Sequence, residues 1–124
     1  MDTIQQILTN YGFGKSTAKI YELLVKNGES SVSDLIDNSG LSRGGIYDAL
    51  SSLQEKNLVK HRKKGRKALY KAEDPDKLHY LKEEKENEVD RMNAQLESII
   101  HQLKGEYSLT ESKPGARFFE GKEG

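Results

Sequence analysis

In 124 residues the sequence carries 32% charged and 34% hydrophobic side chains, no cysteine and a net charge of zero, which fits one small domain with an extension better than two full domains. The absence of cysteine excludes disulfide scaffolds, thiolate metal sites and cysteine nucleophiles. No apolar run approaches the roughly 18 residues of a membrane span and Met1-Asp2-Thr3 lacks the order of a signal peptide, so the chain reads as soluble and cytoplasmic, with no membrane partner. The zero is a sum of opposites. Through residue 72 there are 12 Lys/Arg against 7 Asp/Glu, and afterwards 8 against 13. The first part is suited to meeting polyanions.

Taken in chain order, Ile4, Ile7, Leu8 and Tyr11 recur at helical spacing until Gly12. Ser16 precedes a second helical stretch with Ile20, Leu23 and Leu24 on one face and Asn27-Gly28 as a stop. Ser31 or Ser33 caps a short third helix through Asp37, and Ser39-Gly40 turns the chain. Ser42 caps a fourth helix carrying Ile46, Ala49, Leu50 and Leu53, which ends at Lys56-Asn57 with Asn57 in a left-handed conformation. Leu58–Arg62 and Ala68–Ala72 are short strands of a hairpin whose tip, Lys63-Lys64-Gly65-Arg66-Lys67, is strongly basic.

Asp74-Pro75 starts a long helix, because Asp accepts free amide hydrogens and Pro fits the first helical position. It is expected to run over residues 75–104, until Gly105. With Pro75, Lys82, Val89, Leu96 and Leu103 at heptad position a, positions d are Leu78, Lys85, Met92 and Ile99. An apolar seam therefore occupies the second half, while the Lys82–Glu88 stretch is polar. Val89, Met92, Leu96, Ile99 and Leu103 are the expected dimerisation residues. Residues 105–124 show no helical stripe and read as a tail.

From Val32 to Leu50 the spacing is that of a helix-turn-helix. Ile46, Leu50 and Leu53 hold the second helix to the core, so Ser42, Arg43, Gly44, Tyr47, Asp48 and Ser51 point partly outward. Gly44-Gly45 at the helix start leaves room for a phosphate or base edge to approach the backbone. Tyr47 either packs beside Ile20 or Tyr21 or meets DNA. The basic hairpin that follows turns the motif into a winged helix-turn-helix. Arg43 can reach a guanine or a phosphate in the major groove, and Lys63, Lys64, Arg66 and Lys67 can follow the backbone or enter the minor groove.

Three segments, Tyr11-Gly12-Phe13 through Gly28, Ser42-Arg43-Gly44-Gly45-Ile46-Tyr47 through Val59, and Gly65-Arg66-Lys67-Ala68-Leu69-Tyr70 through Pro75, together resemble the DNA-binding domain of TrmB-family regulators. Lys113-Pro114-Gly115-Ala116-Arg117-Phe118-Phe119-Glu120-Gly121-Lys122-Glu123-Gly124 resembles the motif that opens that family's C-terminal effector region after a dimerising helix. The resemblance implies an archaeal or bacterial transcription regulator, often of sugar uptake or central metabolism, and a chain that is a fragment or a shortened member. A small-molecule effector is then expected only in a longer form.

Other constellations are weak. His61, His79 and His101 are scattered, and His79 with Glu83 reads as a surface pair rather than a metal site. Glu83, Glu84, Glu86, Glu88 and Asp90 read as a solvated face. Neither a phosphate-binding glycine loop nor an acid–base constellation is present, so no enzyme and no cofactor are expected. The expected fold is mainly α with a small β-hairpin: a winged helix-turn-helix at 1–74, a coiled-coil-like dimerisation helix at 75–104 and a tail at 105–124. The expected function is a homodimeric, sequence-specific regulator on double-stranded DNA. The rivals are a helical interaction module whose basic hairpin binds an acidic protein, and a non-specific architectural DNA binder.

Overall fold

Capping residues decide where the helices of this protein begin. In the computed structural model, which describes residues 2–112, Thr3 starts α1 (Ile4–Asn10) through a reciprocal capping box with Gln6. The second helix, α2 (Lys15–Asn27), starts two residues earlier than its serine suggests. Gly14 is the N-cap and makes no side-chain bond, so Ser16 lies inside the helix. Gly28, at φ +81°, ends it with its amide on the Leu24 carbonyl.

Ser30–Ser31 form a two-residue strand, β1, too short to leave any periodic signal in the sequence. Ser31 then caps α3 (Val32–Ser39), its hydroxyl accepting from the Asp34 amide while the Asp34 carboxylate accepts from the Ser31 amide. The helix runs past Asp37 to Ser39. Gly40 closes it in the left-handed conformation at φ +74°. Ser42 caps α4 (Arg43–Glu55), and Asn57 takes φ +59°, one residue beyond the Lys56 C-cap.

The hairpin strands, β2 (Val59–Lys64) and β3 (Lys67–Ala72), are longer than their sequence pattern indicated. They meet at Lys64 opposite Lys67, leaving only Gly65 and Arg66 in the turn. Positive φ at Gly65 alone fits a type II′ turn, whose twist matches the strands it joins. That tight turn is what extends pairing into the basic tip. The sheet order is β1-β3-β2, all antiparallel, with Ser30 opposite Tyr70 and His61 on the other side of Tyr70.

Described residues fall into two units divided between Lys82 and Glu83. The first has one core, in which Ile20, Leu24, Leu35, Ile46, Leu50, Leu53 and Leu58 are fully buried. Only Leu8 of the α1 stripe is buried; Ile4, Ile7 and Tyr11 stay exposed. Lys19 ties α2 to the helix-turn-helix by donating to the Ser39 carbonyl at 2.9 Å. Asp74 starts not an α-helix but a 3-10 turn, Pro75–His79, and α5 (Tyr80–Glu111) follows. In this unit Leu81 of α5 is buried and the Tyr80 hydroxyl donates to the Lys56 carbonyl at 3.1 Å.

The second unit is the remainder of α5, which continues through Gly105 to Glu111. A stop at residue 104 and a non-helical stretch from 105 are therefore corrected. One interior glycine costs a helix only about 1 kcal/mol relative to Ala, and Glu106 to Glu111 contains no Pro or further Gly to break it. The Lys113–Gly124 motif lies outside the described residues.

Candidate nucleic-acid interface

A helix start whose first residue, Arg43, is followed by two glycines is exposed beside a basic hairpin. The Ser42 hydroxyl accepts from the Gly45 amide at 3.1 Å. A Cβ at Gly44 would meet open space, whereas one at Gly45 would come 3.3 Å from the Ser42 oxygen and crowd the cap. The glycine pair thus has two roles: Gly45 protects the cap, and Gly44 leaves the first turn bare where backbone amides face outward. Ser42, Arg43, Gly44, Tyr47, Asp48 and Ser51 are all exposed, while Ile46, Ala49, Leu50 and Leu53 are buried on the opposite side of α4.

Tyr47 does not join Ile20 and Tyr21 in the core. It is 46% exposed and lies near Tyr70 of β3. The Tyr70 phenol is held above the usual range, mainly by its own burial and secondarily by Tyr47. Tyr47 lines a small cleft of about 180 Å³ with Arg43 from α4, Arg66, Lys67 and Ala68 from the hairpin, and Ser31, Val32 and Ser33 from the start of α3. The cleft lies between α4, the start of α3 and the hairpin. It gathers three cations, of which Lys67 is close enough to Asp34 to help lower that carboxyl, although the Ser31 amide and hydroxyl contribute more.

Strand alternation places the other tip residues. Lys63 lies opposite Ala68 and shares a face with His61 and Tyr70, whereas Lys64 and Lys67 oppose each other on the other face. His61 packs its ring 5.7 Å from that of Tyr70, with Nδ1 2.8 Å from Gln54 Nε2. This bond fastens β2 to α4. Arg62 is already engaged: its guanidinium donates twice to Glu29, at 2.7 and 2.8 Å, and holds that carboxyl below the usual range. No sequence signal links residues 33 apart, so this brace was invisible until the sheet was seen.

His79 contacts Asp76 at 3.8 Å rather than pairing with Glu83. The 3-10 turn explains the change, because its i, i+3 side chains eclipse. Val89, Met92, Leu96, Ile99 and Leu103, described within the second unit, are between 47% and 60% exposed, and Ile100 and Tyr107 add apolar surface to the same helix.

The family model described as sugar-specific transcriptional regulator TrmB matches residues 8–76, from the end of α1 to the 3-10 turn. The chain belongs to the TrmB family. A curated relative, the HTH-type sugar sensing transcriptional regulator TrmBL1 of Pyrococcus furiosus, is 30% identical over 108 residues, which are 85% of this chain. The chain spans 31% of that relative's length. Among solved structures, a possible transcriptional regulator from Methanosarcina mazei matches with TM-score 0.64 at 12% identity, over 74% of this chain and 83% of its own. A possible regulator for arsenical resistance matches with TM-score 0.51 at 28% identity, over 76% and 97%. An ArsR-like regulator from Rhodococcus matches with TM-score 0.52 at 23% identity, over 77% and 88%. Family and fold are those of DNA-binding, winged-helix transcription regulators and not of an enzyme. Among the described residues, no helix is long and apolar enough to cross a membrane.

Proposed function

We propose that this TrmB-family chain acts in the cytoplasm as a homodimer that binds double-stranded DNA sequence-specifically to control transcription. The start of α4 enters the major groove, and Lys63, Lys64, Arg66 and Lys67 of the wing contact the backbone or minor groove. The observation that supports this reading best is the cleft in which Arg43 and Tyr47 of one element meet Arg66 and Lys67 of another. Cations from a helix and a hairpin on one exposed surface suit a duplex, which offers base edges and phosphates side by side. Arg43 is the base reader, because its fork matches the guanine acceptors. Asp48, exposed on the same side of α4, can only accept, and so disfavours a phosphate and suits a base amino group.

The second copy is proposed to pair along Val89, Met92, Leu96, Ile99 and Leu103. The curated relative is named as sugar sensing, and a sugar-class effector is the corresponding proposal for a longer form of this protein. Selection from random duplexes tests the core of the reading. A regulator should enrich a palindrome and prefer it over random DNA by at least about 10³. Binding without enrichment would make it an architectural protein, and no competition by duplex DNA for an acidic protein would favour the interaction-module rival.

A further inference from the structure

The outer face of the hairpin carries charges that its own structure leaves unbalanced. Lys60 lies directly opposite Lys71, and Lys64 directly opposite Lys67. Like charges in such pairs weaken a ladder. Between them sits Arg62, at the same pleat position as both lysines on β2. Two carboxylates lie near this face: Glu29, both of whose oxygens are taken by Arg62, and Asp34 near Lys67, which accepts from the Ser31 amide. Lys64 and Lys71 also influence the ionisation of Glu29, so they lie near it, but among the described residues no carboxylate stands within ion-pair distance of Lys60, Lys64, Lys67 or Lys71. Beside Glu29 an open groove of about 540 Å³ separates this face from the 28–29 loop, with Lys60, Arg62 and Lys71 on its walls.

We propose that this outer face is a second phosphate-binding surface, which holds the backbone of duplex DNA flanking the site read by α4. The inference rests on the DNA-binding reading above and extends it from the wing tip to the hairpin base. Charge and length favour duplex backbone as the occupant. From Lys60 to Lys64 the strand rises about 13 Å at 3.3 Å per residue. A duplex carries one phosphate per about 1.7 Å of axis, so that length presents about eight, roughly half on the near strand. A row of cations two residues apart can meet successive phosphates of one strand. Glu29 sets how many do so, because while it holds Arg62 that guanidinium is withheld from the DNA.

The test uses the palindrome obtained by selection, placed in duplexes with flanks of roughly 2 or roughly 12 base pairs, and the salt dependence of binding to each. The parent protein should show the steeper slope on the long-flanked duplex, by about 0.9 for each phosphate met. Lys60→Gln with Lys71→Gln should abolish that difference and leave short-flank binding unchanged. Glu29→Gln should steepen the slope on the long-flanked duplex only. Removing the Lys60–Lys71 opposition should also leave the DNA-free protein melting at or above the parent temperature in low salt, which separates lost binding from lost folding. Equal parent slopes on both duplexes, or equal weakening of both by the lysine pair, would overturn the proposal while leaving the recognition-helix reading intact. If the parent binds neither duplex, both readings fail together.

Discussion

Tyr21 is the least reconciled residue of the core. It is buried against Phe13, ring centroids 6.5 Å apart, and its hydroxyl has no hydrogen-bond partner among the described residues. A buried, unpaired hydroxyl costs about 1–3 kcal/mol, and a phenyl ring fills nearly the same space. Tyr21→Phe is therefore expected to raise stability by up to about 1 kcal/mol in denaturant unfolding. Titration adds a second expectation with two limbs. Glu29, Asp34 and Glu22 are held below the usual carboxyl range by Arg62, by the Ser31 amide and by Lys26 respectively. Their stabilisation is present above that range and lost as pH falls through it. Tyr21 and Tyr70 are raised by burial; their contribution is present below the usual phenol range and lost as pH rises past it. Melting temperature should thus be flat between and fall at both ends, below about pH 4 and above about pH 10. Glu29→Gln should lower the plateau and flatten the acid limb, and an unchanged acid limb would show that the Arg62 brace adds nothing to folding.

At the scale of elements, the proposed function gives base reading to α4 and charge to the hairpin. Arg43→Ala is expected to cost roughly 1–3 kcal/mol at the selected site and to relax preference at one position per half-site. Lys63→Ala, Lys64→Ala and Arg66→Ala together should weaken all sequences alike and lower the salt slope by about 0.9 per lost phosphate contact. A sequence-dependent loss from the wing triple, measured by competition, would move base reading onto the hairpin. Local signals made these elements legible. Ser31, Ser42, Gly28 and Gly40 act on backbone groups within four residues, and Ile46, Leu50 and Leu53 mark a buried stripe, so α3 and α4 could be read before any contact was known. What escaped depends on long-range contact or fine balance. Ser30–Ser31 is a strand only because β3 lies beside it, Glu29 finds Arg62 only across the sheet, and Tyr47 faces the wing because β3 offers Tyr70 there. Gly105 misled for the opposite reason: its penalty is small against the propensity of the residues around it.

For the whole molecule the decisive feature is the apolar row on α5. Continuation of the helix past Gly105 lengthens that row. Val89 and Ile100, Met92 and Leu103, and Leu96 and Tyr107 are each eleven residues apart, a spacing close to the natural helical repeat that asks for less left-handed coiling than strict heptads. Large apolar side chains left about half exposed over several turns constitute a patch that soluble proteins cover, and a twin helix is the simplest cover with the same spacing. In such a dimer two copies of α4 would address half-sites about one helical turn apart, or a multiple of it. Leu96→Lys with Ile99→Lys places two charges per chain at the middle of the row, where desolvating them has no compensating partner. The double variant is expected to sediment as a monomer, to keep the fold of its first unit, whose core contains neither residue, and to bind the palindrome at least about 10²-fold more weakly through loss of the linked second site. Its affinity for an isolated half-site should match the parent's, since Arg43 and the wing are untouched. A parent chain that sediments as a monomer, or a double variant that remains a dimer, would assign the row to another partner and remove the symmetric pair of half-sites from the mechanism.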